Sequence, residues 1–586
     1  MKRFLRNVLA TITGILVSGF ILLILGIITV TGLITATEAE TTVHKNSIFL
    51  LELKGNITER YQQNPIDRIL GEEKTTCGLD DILNAIRKAK DNDNIKGIYM
   101  DAGAFNCQPA SLQAIRNALT DFKDSGKFII AYGGTYTQPS YYLASTADKI
   151  IVNPSGHILW HGLTAQTFFF KDLLKKAGIG MQIFRVGTYK SAVEPFTETE
   201  MSQANKEQTQ AFIHSIWGQY LADISASRKL PKEHLDRLAD QNMDFQPAEA
   251  YVKNGLADTL MYKDGVLDYL KSLTGTEDEK LAILTLDDMT NIKRNIPKGK
   301  SGNIIAVYYA CGEIDNGTGM YNEGIHSEEV ITDLRELRED DAVKAVVLRV
   351  NSPGGSAYGS EQIWKEVSLL KERKPVVVSM GDYAASGGYY IACAADWIVA
   401  EPTTLTGSIG IFGMFPDISD LLNNKLGLHT DGVKTNRLAD LGSINRPFNE
   451  EEKSLIQGMV NNGYELFTRR CADGRQMPIE ELEKIAEGRV WSGEMAKGLN
   501  LVDELGGLEK AIQKAAEKSQ TTEYTILSYP PKEDLLTGLL NTKPQRYIQS
   551  KALEAWGDYA YIFFWARNAA NIDRLQARMP FVTDMK

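Results

Sequence analysis

Residues 375–392 read PVVVSMGDYAASGGYYIA, and this stretch decides the fold. It begins with a short β-branched run, Pro375 to Met380, which is typical of a buried strand. A glycine-rich turn around Ser386 follows, and an apolar segment starting at Tyr389 then predicts a helix. A strand that leads directly into a helix indicates the crossover units of an α/β domain.

Much of this stretch occurs twice in the chain. Tyr141-Tyr142-Leu143-Ala144 matches Tyr389-Tyr390-Ile391-Ala392 at a spacing of 248 positions. The run from Ile95 to Met100 matches the run from Val343 to Leu348 at the same spacing. Self-similarity over such a distance predicts two copies of one domain.

The repeat divides the chain into four predicted segments. Residues 1–42 form a cytoplasmic stub and a transmembrane anchor, and residues 43–295 form the first copy. Residues 296–522 form the second copy, and the junction lies in the charged stretch from Asn291 to Gly302. Residues 523–586 fit neither repeat, and we interpret them as an extension for packing or oligomer contact.

The N-terminal residues predict a single membrane-spanning helix. Lys2, Arg3 and Arg6 precede an uncharged, mostly apolar run from Asn7 to Ala36. A bilayer core requires about 20 apolar residues, whereas a secretory signal has about 7–15. The basic residues favour a cytoplasmic N-terminus, which predicts a single-pass inner-membrane protein with its domains on the periplasmic side. A cleaved signal peptide stays an alternative, because residues 35–39 include small side chains.

Composition argues against several classes of function. The chain has 586 residues and a net charge of −11, and without a basic stripe it offers no surface for nucleic acid. Its five cysteines are scattered, and without a Cys-x-x-Cys pair they indicate buried apolar side chains rather than a zinc or redox site. One pair could still form a disulfide in an oxidising compartment. The cysteines are Cys77, Cys107, Cys311, Cys393 and Cys471.

The two copies differ at the glycine-rich turn, and this difference locates the candidate nucleophile. Ser386 precedes a predicted helix N-terminus, where free backbone N–H groups can stabilise negative charge. The matching position of the first copy is Gln138, which has no hydroxyl. The second copy also has a glycine pair, Gly354-Gly355, that permits close approach of the backbone to a ligand. The counterpart at 103–108 lacks this pair.

A serine nucleophile needs a base, and no histidine motif supplies one. Neither Gly-x-Ser-x-Gly nor His-Glu-x-x-His occurs in the chain. A lysine can act as the base if desolvation lowers its pKa from about 10.4 to about 7–8. Lys190 of the first copy is the leading candidate, since its counterpart Arg437 stays protonated. Insertions blur the register here, so Lys434 is the second candidate.

Four motifs together resemble the signal peptide peptidase A (protease IV) family in its two-repeat form. The resemblance covers about residues 43–522 and the N-terminal anchor. It implies tandem Clp-protease/crotonase-like α/β domains, a Ser/Lys dyad built from both copies, and a bowl-shaped homotetramer at the membrane. The motifs are Ser-Pro-Gly-Gly at 352–355, Ala-Ala-Ser-Gly-Gly-Tyr-Tyr at 384–390, Leu-Thr-Gly-Ser-Ile-Gly at 405–410 and Gly-Thr-Tyr-Lys-Ser-Ala at 187–192.

The same resemblance implies a role for each site residue. Ser386 is the nucleophile, Lys190 is the general base, and Ser408 hydrogen-bonds Lys190. Backbone N–H groups near Gly355 and Gly387 form the oxyanion hole. The implied substrates are signal-peptide remnants and other apolar peptides, and neither a cofactor nor a metal is expected. Whether the dyad forms within one chain or between neighbours stays open.

Two other functions stay open at this point. An acyl-thioester hydratase or isomerase uses the same type of fold, and it would bind immobilised coenzyme A. A non-catalytic peptide-binding scaffold would keep its function after replacement of Ser386 or Lys190. Four further residues are interpreted as structural: Ser352, Ser356, Asp148 and Asp396.

Overall fold

The structure is a computed structural model of the chain. The predicted junction between the copies and much of the predicted C-terminal extension lie outside the residues that it describes. These residues are 2–37, 41–64, 66–67, 75–241, 243–277, 280–292, 302–317, 324–532, 551, 573, 575–580 and 584–585.

The predicted anchor forms one continuous helix, Lys2–Thr37. Part of this helix has no described side chains. Within the described part of the chain, no helix combines the length and apolar character needed to cross a membrane. The transmembrane character of the anchor therefore stays a prediction.

The first copy is built on a six-stranded sheet in which every neighbouring pair is parallel. Its central strands are apolar and largely buried, as expected when helices cover both faces of a parallel sheet. In sheet order the strands are Thr259–Leu260, Lys149–Ile158, Phe128–Tyr136, Ile95–Asp101, Ser47–Glu52 and Ile283–Leu284.

The second copy repeats this arrangement, which confirms the predicted duplication of an α/β domain. One strand, Val490–Ser492, is added in the antiparallel sense at the end of the sheet nearest Ser386. The parallel strands from one edge to the other are Glu504–Leu505, Trp397–Ala400, Val376–Ala385, Val343–Ser352, Ile304–Cys311 and Thr525–Tyr529. A further strand, Leu405–Gly407, pairs in parallel with the C-terminal end of Val376–Ala385.

The strand Thr525–Tyr529 corrects one expectation about the C-terminal extension. It pairs in parallel with Ile304–Cys311, as Ile283–Leu284 pairs with Ser47–Glu52 in the first copy. The second sheet therefore extends beyond residue 522, and the expectation that everything after Thr522 fits neither repeat is wrong for this strand. Its side chains are half-buried or exposed, so the sequence shows no core pattern there.

Helices connect the strands and cover the sheets. Side-chain caps begin the two longest connecting helices: Ser202 accepts from the Asn205 N–H, and Asn449 accepts from the Glu452 N–H. The helices of the first copy are Leu79–Asp91, Pro109–Lys123, Gln138–Ala144, Lys171–Ala177, Glu194–Thr197, Gln203–Arg228, Lys232–Ala239, Ala248–Lys253, Lys263–Thr274 and Leu286–Thr290. Those of the second copy are Ser327–Glu339, Ala357–Lys371, Gly387–Ala392, Glu450–Arg475, Ile479–Ile485, Gly493–Gly498 and Leu508–Lys518.

A third sheet combines strands from both copies and from the C-terminal segment. It places a strand of the first copy, Gly180–Arg185, antiparallel to Phe412–Asp417 of the second copy. This pairing joins the copies beside the glycine-rich turns. In sheet order its strands are Ile325–His326, Ile314–Asp315, Gly354–Ser356, Leu575–Arg578, Phe412–Asp417 and Gly180–Arg185. Smaller pairings join Gly55–Thr58 to Thr76–Gly78 and Phe105–Asn106, and Ala165–Gln166 to Asp584–Met585.

Buried polar contacts also connect the two copies. The Arg349 guanidinium donates to both carboxylate oxygens of Glu59, at 2.7 and 3.0 Å. The Asp382 carboxylate accepts from the Ser111 hydroxyl at 2.6 Å. Because each contact joins residues of different copies, the copies fold against each other. All five cysteines are free thiols.

Candidate active site

Ser386 lies at the point where a strand becomes a helix, between Val376–Ala385 and Gly387–Ala392. Its backbone has φ of +55°, a conformation that side-chain-bearing residues rarely adopt and that often accompanies function. The Ser386 N–H donates to Gly407 O at 2.8 Å, which holds this turn against the neighbouring strand. The hydroxyl is fully buried.

Lys190 reaches this serine from the other copy of the same chain. It lies in the loop that follows Gly180–Arg185, the strand paired with Phe412–Asp417 of the second copy. Its Nζ lies 2.7 Å from Ser386 Oγ. The structure thus brings the two leading candidates into direct contact within one chain.

Ser408 supplies two further acceptors to the amine. Lys190 Nζ donates to Ser408 O at 2.9 Å and to Ser408 Oγ at 3.1 Å. The residue has φ of +50°, so the turn after Gly407 also holds an uncommon backbone conformation. The sequence predicted a contact through the hydroxyl but not the second contact through the carbonyl.

Burial sets the charge state of the amine. The Lys190 side chain is fully buried, and this desolvation lowers its pKa well below the ordinary 10.5. Removal from water disfavours the charged form, and the three oxygen neighbours can still hydrogen-bond a neutral amine. The arrangement therefore favours an amine that can accept a proton from the serine hydroxyl.

Polar residues on the helix Gln203–Arg228 hold the lysine loop in place. Gln208 Nε2 donates to Tyr189 O at 3.1 Å and to Ser191 Oγ at 2.8 Å. The Ser191 hydroxyl donates to Asn205 Oδ1 at 2.9 Å, and Asn205 Nδ2 donates to the Glu194 carboxylate at 3.0 Å. Sequence reasoning missed this network, although polar residues three apart on a buried helix face were an available signal.

A glycine of the second copy makes room for the lysine. Gly488 has φ of +79°, and a Cβ at this position would lie 2.7 Å from the Cα, the Cβ and the N of Lys190. No side chain fits at that distance. Gly488 could not be recognised from the sequence, because it lies far along the chain from each of the four motifs.

The two predicted oxyanion segments lie against each other beside the serine. Gly354 has φ of +100°, and a Cβ there would lie 2.8 Å from the Gly387 N. Ser352 Oγ accepts from the Gly354 N–H at 3.1 Å and holds the turn. The turn that contains Gly355 therefore lies against Gly387, the residue that follows Ser386.

The residues interpreted as structural accept hydrogen bonds from backbone N–H groups of helices and strands. Ser356 Oγ accepts from the Gly359 N–H at 3.0 Å and begins a helix. Asp148 accepts from the Ile129 N–H at 2.8 Å, and Asp396 makes the same contact with the Val376 N–H at 2.9 Å. The repeated aspartate contact confirms that this pair is architectural.

The second candidate base lies elsewhere. The half-exposed Lys434 ammonium forms an ion pair with Asp440. Arg437, the predicted counterpart of Lys190, is exposed and pairs with Glu451 at 2.6 Å. Gln138, the counterpart of Ser386, accepts from the Gly162 N–H at 3.1 Å. Of the two candidate bases, both of which the structure describes, Lys190 is the one that contacts Ser386.

Comparison with known proteins agrees with the repeated architecture. Residues 121–277 and 368–522 match the model of "Peptidase family S49", and residues 317–400 match the model of "Clp protease". These matches support tandem Clp-protease-like α/β domains.

Curated relatives match over most of their length. The chain is 37% identical to "Protease 4" of Salmonella typhi over 527 residues, which are 86% of this chain and 84% of the relative. It is 35% identical to "Protease 4" of Haemophilus influenzae over 530 residues, which are 88% and 85% of the two chains. It is 32% identical to "Serine protease SPPA, chloroplastic" of Arabidopsis thaliana, over 81% of this chain and 70% of the relative.

Proposed function

This chain belongs to peptidase family S49 and is a serine protease of the signal peptide peptidase kind, and we propose that Ser386 is its nucleophile and Lys190 its general base. The observation that carries this proposal is the 2.7 Å contact between the buried amine and the serine hydroxyl. Membership of a peptidase family also argues against the acyl-thioester alternative.

The reaction is an acyl transfer. Neutral Lys190 accepts the hydroxyl proton of Ser386 while the serine oxygen attacks the carbonyl carbon of a peptide bond. Backbone N–H groups of Gly355 and Gly387 stabilise the oxyanion that forms. The lysine then returns the proton to the leaving amine, and water, activated by the same amine, hydrolyses the acyl-enzyme.

Ser408 completes this arrangement as a positioning residue. Its carbonyl and hydroxyl oxygens fix the lysine amine next to the nucleophile. Because these oxygens are uncharged, they orient the amine without raising its pKa as a carboxylate would. The base can therefore be both fixed in place and deprotonated.

The substrates that we propose are apolar peptides, among them signal-peptide remnants. The name of one relative supports this choice: the Enterococcus faecium protein is a "Putative signal peptide peptidase SppA" that is 36% identical over 44% of this chain. Remnants of that kind are released in the membrane, which requires an enzyme close to it.

We further propose a membrane anchor at residues 1–42, with both copies on the extracytoplasmic side of the inner membrane. The uncharged run from Asn7 to Ala36 and its continuous helix support this proposal, and the preceding basic residues support the orientation. Alkaline extraction of membranes from expressing cells should leave the chain in the pellet. Recovery of the full-length chain in the supernatant would contradict the anchor.

A homotetramer is the assembly that we propose. Exposed apolar side chains at Leu426, Leu428 and Val433, within eight residues of sequence, support it, because exposed apolar surface favours a subunit contact. Light scattering of the detergent-solubilised chain should give four copies, and Val433→Glu should reduce that number. A monomer in the unmodified chain would exclude this assembly.

Cleavage of a quenched apolar peptide by the full-length chain tests the catalytic pair. We expect Ser386→Ala and Lys190→Ala each to lower kcat/KM by at least about 100-fold, because each removes a group that acts in the transition state. Lys434→Ala is the control, and it should cleave at the unmodified rate. Full activity of Lys190→Ala with loss of activity in Lys434→Ala would place the base in the same copy as the serine.

A further inference from the structure

Two of the five cysteines lie side by side in the core of the second copy. Cys393 ends the helix Gly387–Ala392, and Cys471 lies near the end of the helix Glu450–Arg475. Both side chains are fully buried and pack in the same hydrophobic cluster. Their thiols are hydrogen-bonded to each other, and Cys393 Sγ also lies 3.7 Å from Arg470 O, the carbonyl next to Cys471. The two sulfur atoms are therefore neighbours, although they are far apart in sequence.

A glycine allows the two helices to approach this closely. Gly474 lies three residues after Cys471 and therefore on the same side of its helix. A Cβ on Gly474 would lie 2.2 Å from Cys393 O, so backbone packs directly against backbone. A disulfide needs such an approach, because its two Cα atoms lie about 4.4–6.8 Å apart. The packing at Gly474 therefore meets the main geometric requirement for a bond between the two thiols.

The cysteine pair joins two helices that contact opposite sides of the proposed catalytic pair. The helix Gly387–Ala392 begins directly after Ser386. Gln457, on the helix Glu450–Arg475, donates to Arg185 O at 3.4 Å, at the end of the strand that precedes the lysine loop. A covalent link between the two helices therefore restrains the nucleophile relative to the base.

We propose that Cys393 and Cys471 are a disulfide-forming pair, and that their bond fixes the helix after Ser386 to the helix Glu450–Arg475. The structure shows this pair in its reduced form. The extracytoplasmic side of the membrane, where the chain is proposed to lie, is an oxidising compartment. The inference rests on that placement for its oxidant and does not depend on the peptidase activity.

The bond forms by exchange with a disulfide oxidant, which is either a protein or a small molecule. One cysteine, as its thiolate, attacks a sulfur atom of the oxidant and forms a mixed disulfide, and one oxidant thiol leaves. The second cysteine then attacks the first, which closes the new bond and releases the other oxidant thiol. The two cysteines lose two protons and two electrons in total, and the electrons reduce the oxidant to two thiols.

Burial determines when this exchange takes place. The apolar surroundings raise the pKa of the Cys471 thiol well above 9.0, so the closed core contains little of the reactive thiolate. Both side chains are also inaccessible to an external oxidant in the folded chain. Exchange therefore takes place while this part of the core is open, during folding or local unfolding. Once the core has closed, the same burial protects the bond from reduction.

Alkylation and mass spectrometry test the bond in the full-length chain. The purified protein is equilibrated with reduced and oxidised glutathione in mild urea, which opens the core transiently, and is alkylated after complete denaturation. We expect three alkylated cysteines and one pair of linked peptides that contains residues 393 and 471. Cys77→Ala is the matched control, because this half-buried thiol belongs to the first copy, and the variant should keep the link. Five alkylated cysteines, or a link between other cysteines, would overturn the inference.

The melting temperature gives a second readout. The oxidised chain should melt at least about 2 °C above the reduced chain, because the link restricts the unfolded state. Cys393→Ala and Cys471→Ala should each remove this difference, and equal melting temperatures in the unmodified chain would contradict a bond that fixes the two helices. Neither readout uses a substrate, so a failure of the proposed peptidase activity would be seen separately. A chain that links in glutathione but is reduced when isolated from cells would contradict the extracytoplasmic placement instead.

Discussion

The charge of one side chain, Lys190, decides whether the proposed catalytic pair can transfer a proton. Burial lowers its pKa well below 10.5, and its neighbours are the uncharged oxygens of Ser386 and Ser408. Between the folded-state pKa and about 10.4, the unfolded chain binds a proton that the folded chain does not. The free energy of unfolding must then rise with pH across this window, because proton binding stabilises the unfolded chain less as the pH increases.

The buried Lys190 amine predicts a pH dependence of stability that one substitution removes. Lys190→Met keeps a similar volume and cannot titrate, so its urea midpoint should rise less between neutral pH and pH about 10 than that of the unmodified chain. Lys434→Met is the matched control, because Lys434 is half exposed, and its slope should equal that of the unmodified chain. Equal slopes in Lys190→Met and the unmodified chain would show that the amine titrates normally.

The sequence predicted the contact between Ser386 and Lys190 better than it predicted the surroundings of that contact. Ser386 and Lys190 could be predicted because the two copies diverge at these positions, and the Ser408 hydroxyl followed from a motif. The Ser408 carbonyl contact could not be predicted, since every residue has a carbonyl and only packing selects one. Asn205 and Gln208 were missed because the groups that they bond, such as the Val490 N–H of the second copy, meet them only in the folded chain.

At the scale of elements, a turn without a side chain, at Gly488, leaves room for the loop that carries Lys190. Gly488 and Gly126 both have positive φ, at +79° and +75°. A Cβ on Gly488 would overlap Lys190, whereas a Cβ on Gly126 would meet nothing within 4 Å. Both glycines therefore have a backbone conformation that would strain a residue with a side chain. Only Gly488 also has a neighbouring residue, Lys190, where that side chain would lie.

Substitution of the two glycines by alanine separates these effects. Each variant should lose about 1–2 kcal/mol of stability from its backbone conformation. Gly488→Ala should in addition lower kcat by about 100-fold, because displacement of the base by about 1 Å misaligns it. Steady-state cleavage together with urea unfolding measures both effects. A Gly488→Ala enzyme as active as Gly126→Ala would mean that the loop adjusts without cost.

The repeated strands and helices were predictable from their pattern, whereas two strands were not. Thr525–Tyr529 is an edge strand with little burial, so it shows none of the apolar pattern of a core strand. Leu575–Arg578 is too short to show a periodic pattern, and its place depends on partners more than 150 residues away in sequence. The pairing of such short strands with distant partners depends on the whole fold, so the sequence of the segment alone does not reveal it.

For the whole molecule, the junction of the two copies depends on a buried charge pair. Glu59 of the first copy and Arg349 of the second are both almost fully buried. Such a pair adds little to stability when intact, but removal of one partner leaves an uncompensated buried charge. Replacement of either residue should therefore destabilise both copies.

Arg349→Met tests this coupling. The variant should be destabilised by about 3–5 kcal/mol, and replacing Glu59 by Gln in the same chain should recover part of the loss. Amide hydrogen exchange should become faster in both large sheets, since the contact holds the copies together. Faster exchange in the second sheet alone would show that the copies unfold independently.

The separation of Lys190 and Ser386 by 196 residues also has a consequence for the order of synthesis. A ribosome produces the base in the first copy, then the nucleophile, then Gly488, and the strand Leu575–Arg578 last of all. A translation product that stops before residue 386 contains the amine without its hydroxyl, and a fragment that starts after residue 190 contains the hydroxyl without its amine. Chains that stop before residue 386 and fragments that start after residue 190 therefore cannot assemble the proposed catalytic pair on their own.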